Sequence, residues 1–497
     1  MTQIDVLVVG AGPAGSALAS DLVRRGVEVR LIDNADGGFG GSRAKGIQPR
    51  TQEVFEDLGV LDEALAAGGR YPWMAAHLGR LTVPWPMQRS NRPSAAVPYP
   101  NILLLAQRET DRILHDRLGQ QGLQIEFGTA LATLRQDADG VIATVEKSPP
   151  AHRRAETIRA RYLVGADGAA STTRKQLNIS FTGSTDESDR MIVADAEIDG
   201  LARNRWHVWP RAKGRFLAIC PLPNCSQFQI MLRLRPDEQP DVSEPGLAEA
   251  IRTLTGDPAL QLRGLTWASV FRPNIRMAEH YRSGRVLLAG DAAHVHPPAG
   301  AQGLNTGVQD SYNLGWKLGQ ALSGAPDALL DTYETERLPV AARVLGVSTQ
   351  LYAGLEKRRL SSLLRSDDER QINLSYHGTP LAPLTSTRTA TLRVGDRAPD
   401  GRYGRDGSER LFNAFRGPHF TLLAFDGAPT FDWPTAGAPL HTIQLPAAAQ
   451  QLRRDYGITR PTSVLIRPDG YIAHITERIP DGVDHDTLTR LAPPSPR

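Results

Sequence analysis

Gly10, Gly12 and Gly15 stand in the spacing G-x-G-x-x-G, and Asp33 closes the next apolar run. These residue types in this order suit the binding of a dinucleotide. The first glycine makes a tight turn, and the second lets the backbone approach a pyrophosphate. The third lets helix and strand pack closely, with Ala14 inside the same turn. A helix opening here aims unpaired N–H groups and the positive end of its dipole at the phosphates. Asp33, with Asn34 beside it, is placed to accept hydrogen bonds from a ribose diol. A bare glycine triplet also occurs in ordinary doubly wound domains, so the flanking elements decide.

Those elements can be read from the sequence. Residues 6–9 form a hydrophobic run suited to a buried parallel strand. Residues 14–25 have helix-compatible spacing, Gly26 stops them, and 27–32 reads as a second strand. Gly165-Ala166-Asp167-Gly168 follows a strand over 159–164, with Ser171 and Arg174 near a helix start. An Asp-Gly turn alone is common. Residues 286–289 form another buried strand, and Gly290-Asp291 turns the chain at its carboxyl end, where open α/β sheets bind ligands. Small residues at 300–303 then lead into a helix over 306–322. Such a loop admits close backbone approach to a flat ring, and the helix dipole favours negative charge there, as on a reduced flavin. His294 and His296 are not expected to form a metal site, because no further His, Cys or acidic cluster accompanies them. Arg43, Lys45 and Arg50 precede a helix near Thr51, and at least one of these cations is expected on a diphosphate.

With 497 residues, two or three domains are expected. A formal charge of +3 is too small a bias to imply nucleic acid, and no basic run interleaved with aromatics is present. Cys220 and Cys225 are the only cysteines, which excludes a disulfide framework and a cysteine-built zinc site. No targeting segment is visible, and no apolar run reaches the roughly 20 residues of a membrane span. A cytoplasmic protein is expected. Residues 181–271 carry short apolar runs between Gly, Pro and charged residues, which suggests an antiparallel sheet. Trp206, Trp209, Phe216 and Pro221, with Pro298 from the later loop, are the expected lining of an apolar substrate pocket.

GAGPAG (10–15), GADGAASTTR (165–174) and GDAAHVHPPAGAQGLN (290–305) occur in an order and spacing that resembles the class A flavoprotein monooxygenases. This aromatic hydroxylase family includes the p-hydroxybenzoate, phenol and polyketide hydroxylases. NLGWKLG (313–319) resembles the phenol and polyketide branch. The resemblance implies an α/β fold with a Rossmann-like FAD-binding domain (1–75, 101–180 and 272–365). It further implies an antiparallel-sheet substrate domain (76–100 and 181–271) and a thioredoxin-like C-terminal domain (391–497). It assigns FAD to Gly10, Gly12, Ala14, Gly15, Asp33, Asn34, Arg43, Gln107, Asp167, Asp291, Pro298, Gly303, Leu304 and Asn305. Asp33 stands where the family usually has the longer Glu.

By the same resemblance, NADPH or NADH is a transient co-substrate, and O2 and a small aromatic molecule are the other reactants. A flavin C4a-hydroperoxide would hydroxylate an electron-rich ring, a phenol or polycyclic polyketide. No catalytic acid or base is identified. The alternatives are a same-fold enzyme doing Baeyer–Villiger, epoxidising or antibiotic-inactivating oxidation, and a flavin-binding protein without monooxygenase turnover. A monomer or homodimer is expected, with no nucleic-acid or membrane partner. Residues 391–497 contain no cysteine, so the third domain has no disulfide chemistry and is expected to be structural.

Overall fold

Branched apolar residues over Thr2–Val9 form a strand buried on both faces, as a parallel sheet requires. The computed structural model describes residues 2–497 except 80, 87–89, 148–153, 187, 213–214, 298–300, 357–367, 405, 428–432, 478–489 and 494–497. Thr2–Val9 pairs in parallel with Val29–Ile32 on one side and Arg154–Gly165 on the other. Arg154–Gly165 pairs in parallel with Val286–Leu288. Helices Pro13–Val23 and Gly303–Leu322 pack on one face, where Leu18, Leu22, Leu314 and Leu318 meet Val6 and Val8. The antiparallel strands Thr129–Gln136 and Val141–Lys147 pack on the other, with Leu131 and Val145 against Leu7 and Val9. Both helices begin a little before the expected residues; at the first of them Pro13 supplies a preset φ for the first turn.

Register sets the strand ends level. Val9 lies opposite Ile32 and Gly165, and Gly165 lies opposite Leu288. The glycine turn, the Asp-Gly turn and the Gly290-Asp291 turn therefore leave the sheet side by side.

The second sheet runs in the order Gln261–Phe271, Met191–Asp199, Gln227–Arg233, Arg215–Pro221, Arg205–Ala212, Trp73–Leu78, Leu81–Trp85. It departs from the expected all-antiparallel sheet at one place, since Arg205–Val208 runs parallel to Trp73–Ala76. A long connection lies between these two segments, which is the condition a parallel pair needs. The sheet thus recruits chain from Trp73 onward, ahead of the expected boundary at 76. Side chains alternate between the faces, with register shifts between Asp195 and Glu197 and between Trp209 and Ala212. Ile192, Leu217, Ile230 and Leu232 pack under helix Glu244–Thr255, through Leu247, Ile251 and Leu254. Trp206, Phe216 and Met231 occupy the opposite face, turned toward the nucleotide unit.

The C-terminal sheet has the order Leu440–Leu445, Phe420–Phe425, Thr462–Ile466, Ile472–Thr476. The first two strands are parallel and the rest antiparallel, which is the thioredoxin-like arrangement. The expected hairpin turn at Pro468-Asp469-Gly470 is present and docks on the long helices. Arg467 Nη1 lies 2.6 Å from Glu336 Oε1, and Lys317 Nζ lies 2.7 Å from Glu336 Oε2, all three buried. Arg50 donates to the Asp469 carbonyl at 2.6 Å, and Arg397 and Arg50 both pair with buried Glu53.

Burial alone would raise the Glu336 carboxyl, but Arg467 and Lys317 outweigh it and hold the pKa at about 2. The folded value lies below the ordinary 4.5, so this stabilisation is complete above that pH and fades as pH falls toward 2. Glu336→Gln leaves two buried cations short of a counter-charge. It should lower the unfolding free energy by about 3–5 kcal/mol at neutral pH. A reduced denaturant midpoint is the expected readout, with the difference shrinking in acid; equal midpoints at neutral pH would show these pairs to be idle.

Candidate cofactor and substrate site

The glycine turn is shaped by close approach. A side chain on Gly10 would lie 2.3 Å from the Ala166 carbonyl oxygen, and one on Gly15 would lie 1.8 Å from the Gly10 oxygen. Gly10 also has φ +104°, which L side chains rarely adopt. Gly12 differs, since among the described residues nothing stands within 4 Å of a Cβ there. It caps helix Pro13–Val23 with no side-chain hydrogen bond, so the backbone faces open space at a helix N-terminus. Ala14 faces Gly290 across the turn. Asp33 accepts from the Ala11 N–H at 2.6 Å and from the Ala35 N–H at 2.8 Å, one per carboxylate oxygen. Each oxygen keeps a lone pair for a further donor. Asn34 is exposed beside it.

Gln107 opens helix Gln107–Gln120, and its Oε1 accepts from the Ala44 N–H at 3.3 Å. One turn on, burial raises the Asp111 carboxyl to about 8; the Gln107 side chain opposes the shift and Asp33 adds to it. The Asp111 Oδ1 is buried without a hydrogen-bond partner among the described residues. His115 bonds the Ala11 carbonyl at 2.8 Å. Neither Asp111 nor His115 is singled out by the glycine motif. Their spacing on the helix that Gln107 begins is the signal that could have found them.

Asp167 acts within its own turn. It accepts from the Ser171 hydroxyl at 2.6 Å, the Thr173 N–H at 2.9 Å and the Thr173 hydroxyl at 3.0 Å. Arg174 then donates to the Ala292 carbonyl at 2.8 Å, which ties this turn to the one carrying Asp291. Asp291 is exposed to the cleft although protein surrounds it; desolvation raises its carboxyl, opposed by His294 and Arg43. Of the three cations Arg43, Lys45 and Arg50, the last inside helix Pro49–Leu58, only Arg43 is exposed and without an ion pair among the described residues. Arg50 is paired with Glu53, and Lys45 is buried elsewhere.

Pro298 lies outside the described residues. Gly303 begins the long helix, and Leu304 packs against the cluster around Phe55 and Leu105. Asn305 is fully engaged. It donates to the Gly46 and Ala301 carbonyls, both at 2.7 Å, and accepts from the Gln48 N–H at 2.7 Å. It thereby pins the loop end to residues 46–48. Behind it, His294 bonds Asp310 at 2.6 Å and His296 at 3.0 Å.

The expected pocket residues divide. Trp206 and Phe216 share a face with Met74, Val208 and Met231, and Ala301 of the loop packs against them. Trp209 stands on the opposite face, stacked on His77 and packed in the cluster under helix Glu244–Thr255. An odd separation along a strand reverses the face, so Trp206 and Trp209 cannot line one pocket. Pro221 lines a neighbouring cleft of about 290 Å³ with Arg70, Leu104 and Cys225. The inward face also carries Asp195 and Gln229. Both bond Ser42, and Gln229 in turn accepts from Lys45.

The model of the FAD binding domain family matches residues 3–348, and that of the aromatic-ring hydroxylase C-terminal domain matches residues 391–492. The chain belongs to the FAD-dependent aromatic-ring hydroxylases. A flavin-dependent monooxygenase of Mycobacteroides abscessus is 40% identical over 482 residues, covering 95% of this chain and 97% of that protein. The 6-methylpretetramide 4-monooxygenase of Streptomyces rimosus is 34% identical, covering 94% and 90%. The crystal structure of aklavinone-11 hydroxylase with FAD and aklavinone superposes with a TM-score of 0.79 at 28% identity, covering 99% and 98%. The enzyme is an FAD monooxygenase.

The residues present in this hydroxylase fit that cofactor. Open space at Gly12, an uncapped helix N-terminus, the spare lone pairs of Asp33 and the free guanidinium of Arg43 match a ribose and a diphosphate. Arg43→Gln should weaken FAD binding by about tenfold or more, measured as the FAD dissociation constant after reconstitution. At Gly303 a Cβ would come no closer than 3.8 Å to His296, so Gly303→Val should leave the fold standing. FAD content or oxygenation should nevertheless be lost. A Gly303→Val protein with full FAD content and full turnover would refute the placement of that loop beside the flavin ring.

Proposed function

We propose that this hydroxylase inserts one oxygen atom of O2 into an electron-rich aromatic ring, a phenol or phenolic polycycle, with NADPH or NADH as reductant. The aromatic face of Trp206 and Phe216, set against Ala301 of the small-residue loop, supports this reading. Bound at Gly12, Asp33 and Arg43, FAD would supply hydride acceptance from the nicotinamide and activation of O2. The protein's part is to hold and enclose. Gly12, Asp33 and Arg43 grip the phosphates and ribose. The wall of Trp206, Phe216 and Met231 keeps water from the ring's side of the site, where leakage would yield hydrogen peroxide in place of product.

A multi-ring substrate is favoured over a single benzoate ring. Trp206, Phe216 and Met231 give that wall a large apolar area, and the relative from Streptomyces rimosus is named 6-methylpretetramide 4-monooxygenase. Among the described residues no helix is long and apolar enough to cross a membrane. We place the enzyme in the cytoplasm, as a monomer or homodimer.

The test is anaerobic reduction of the FAD-loaded enzyme by NADPH and by NADH, with and without a panel of phenols and polycyclic phenols. Aerobic turnover under labelled O2 follows. One aromatic class should speed reduction and gain one labelled oxygen with its ring carbons intact. Ring expansion or epoxide formation would move the enzyme to another oxygenation chemistry. Reduction that no aromatic speeds, with no label incorporated, would overturn the proposal.

A further inference from the structure

Lys45 is 8% exposed and lies on the inward face of the substrate sheet. Its Nζ donates to Gln229 Oε1, rests 4.0 Å from Met231 Sδ and stands 4.5 Å from the centroid of the Trp206 ring. No carboxylate lies within ion-pair distance among the described residues. An ammonium has three donors, and one neutral amide with one thioether does not satisfy them. A buried cation without a counter-ion is costly, and a tryptophan face repays only part of that cost.

The partner amide is held in place. Gln229 Nε2 donates to the Ser42 carbonyl and hydroxyl, and Ser42 in turn donates to Asp195, so Oε1 is turned toward Lys45. The backbone of Lys45 is equally fixed, its carbonyl accepting from the Tyr71 hydroxyl and the Leu105 N–H, both at 3.0 Å. The next residue, Gly46, is bonded to Asn305 and leaves no room for a Cβ beside Ala301, 2.7 Å away. The ammonium is thus preorganised within the aromatic wall, beside Gly46, which Asn305 fastens to the small-residue loop.

We propose that Lys45 binds the ionised ring oxygen of the substrate, so that the enzyme selects aromatics carrying a phenolate or enolate. This rests on the aromatic-hydroxylase reading above and names its substrate class. Burial presses the Lys45 pKa below the ordinary 10.5, with Cys220 and Asp195 opposing, so an anion at Nζ relieves a buried charge. On binding, the phenol O–H bond breaks, its proton leaves to solvent, and the electron pair remains on the oxygen that the ammonium holds. An ammonium–phenolate pair results, and no further reactant is consumed. Ring carbons ortho and para to that oxygen gain electron density, as an electrophilic oxygen transfer requires. Lys45 therefore serves as the anion holder that favours ionisation of the bound phenol.

The experiment uses the FAD-loaded enzyme with para-nitrophenol and its methyl ether para-nitroanisole as probes. Equilibrium dialysis gives their affinities, and the absorbance of bound nitrophenol gives its ionisation midpoint. The parent should bind the phenol about tenfold or more tighter than the ether and shift the ionisation of bound phenol to lower pH. Lys45→Met should abolish both effects while ether affinity stays within about threefold; Lys45→Arg should retain the preference. Lys45→Gln serves as the neutral variant where Lys45→Met does not keep FAD. A parent enzyme that binds the two probes alike, or binds neither, overturns the proposal, as does a neutral variant that keeps the phenol preference. Failure of the hydroxylase reading is separate. In that case no aromatic, phenol or ether, speeds flavin reduction, whatever Lys45 does to binding.

Discussion

Parallel pairing between Thr2–Val9 and Arg154–Gly165 sets the height at which the ligand-facing turns leave the main sheet. With Val9 level with Gly165 and Gly165 level with Leu288, three turns far apart in sequence emerge in one row. A shift of register by one residue would reverse the faces of a strand and tilt this row. Contacts between the turns reinforce it. The Ala166 N–H donates to Val9 at 2.7 Å, the Ala289 N–H donates to Gly165 at 2.9 Å, and Arg174 reaches across to Ala292. The cradle at Gly12 exists because these neighbours are locked first.

The second unit meets this row through one face of its sheet. Polar residues there are few and linked to one another: Asp195, Ser42, Gln229 and Lys45 form a chain from the sheet into the loop that follows Phe39. The third unit is held by charge. Arg467, Glu336, Lys317 and Asp469 lie at an interface with almost no solvent exposure, and Arg50 extends the contact to helix Pro49–Leu58. That helix follows directly on residues 46–48, which Asn305 fastens to the loop end. A cysteine-free domain remote from the glycine turn thus braces the segment that carries Lys45.

Local patterns were readable where the physics is local. The buried strands, the glycine turn, the Asp-Gly turn, the C-terminal hairpin and the two-period character of the substrate sheet all follow from neighbouring residues. Partners distant in sequence were not readable. Nothing near Lys45 announces Gln229, and nothing near Glu336 announces Arg467. As short, cation-rich stretches, residues 43–50 read as three equivalent candidates for a phosphate; burial separates them into one exposed arginine, one ion-paired arginine and one enclosed lysine. Trp209 differs from the expected pocket lining because aromatic content alone does not carry the alternation that places it behind the sheet from Trp206. Asp167 looked like a ligand-facing acid, yet its carboxylate is taken up by Ser171 and Thr173.

The parallel pairing of Arg205–Val208 with Trp73–Ala76 bears on how this enzyme can be recombined with its relatives. The substrate sheet is assembled from two stretches of chain, and the earlier one forms its last two strands. A transplant of residues 181–271 alone would carry the aromatic wall but leave Arg205–Ala212 facing a foreign edge strand. Exchange of substrate preference by domain grafting therefore requires both stretches to move together, with the crossover points placed at Tyr71-Pro72 ahead of Trp73 and at Arg272-Pro273 after Phe271 rather than inside either strand pair.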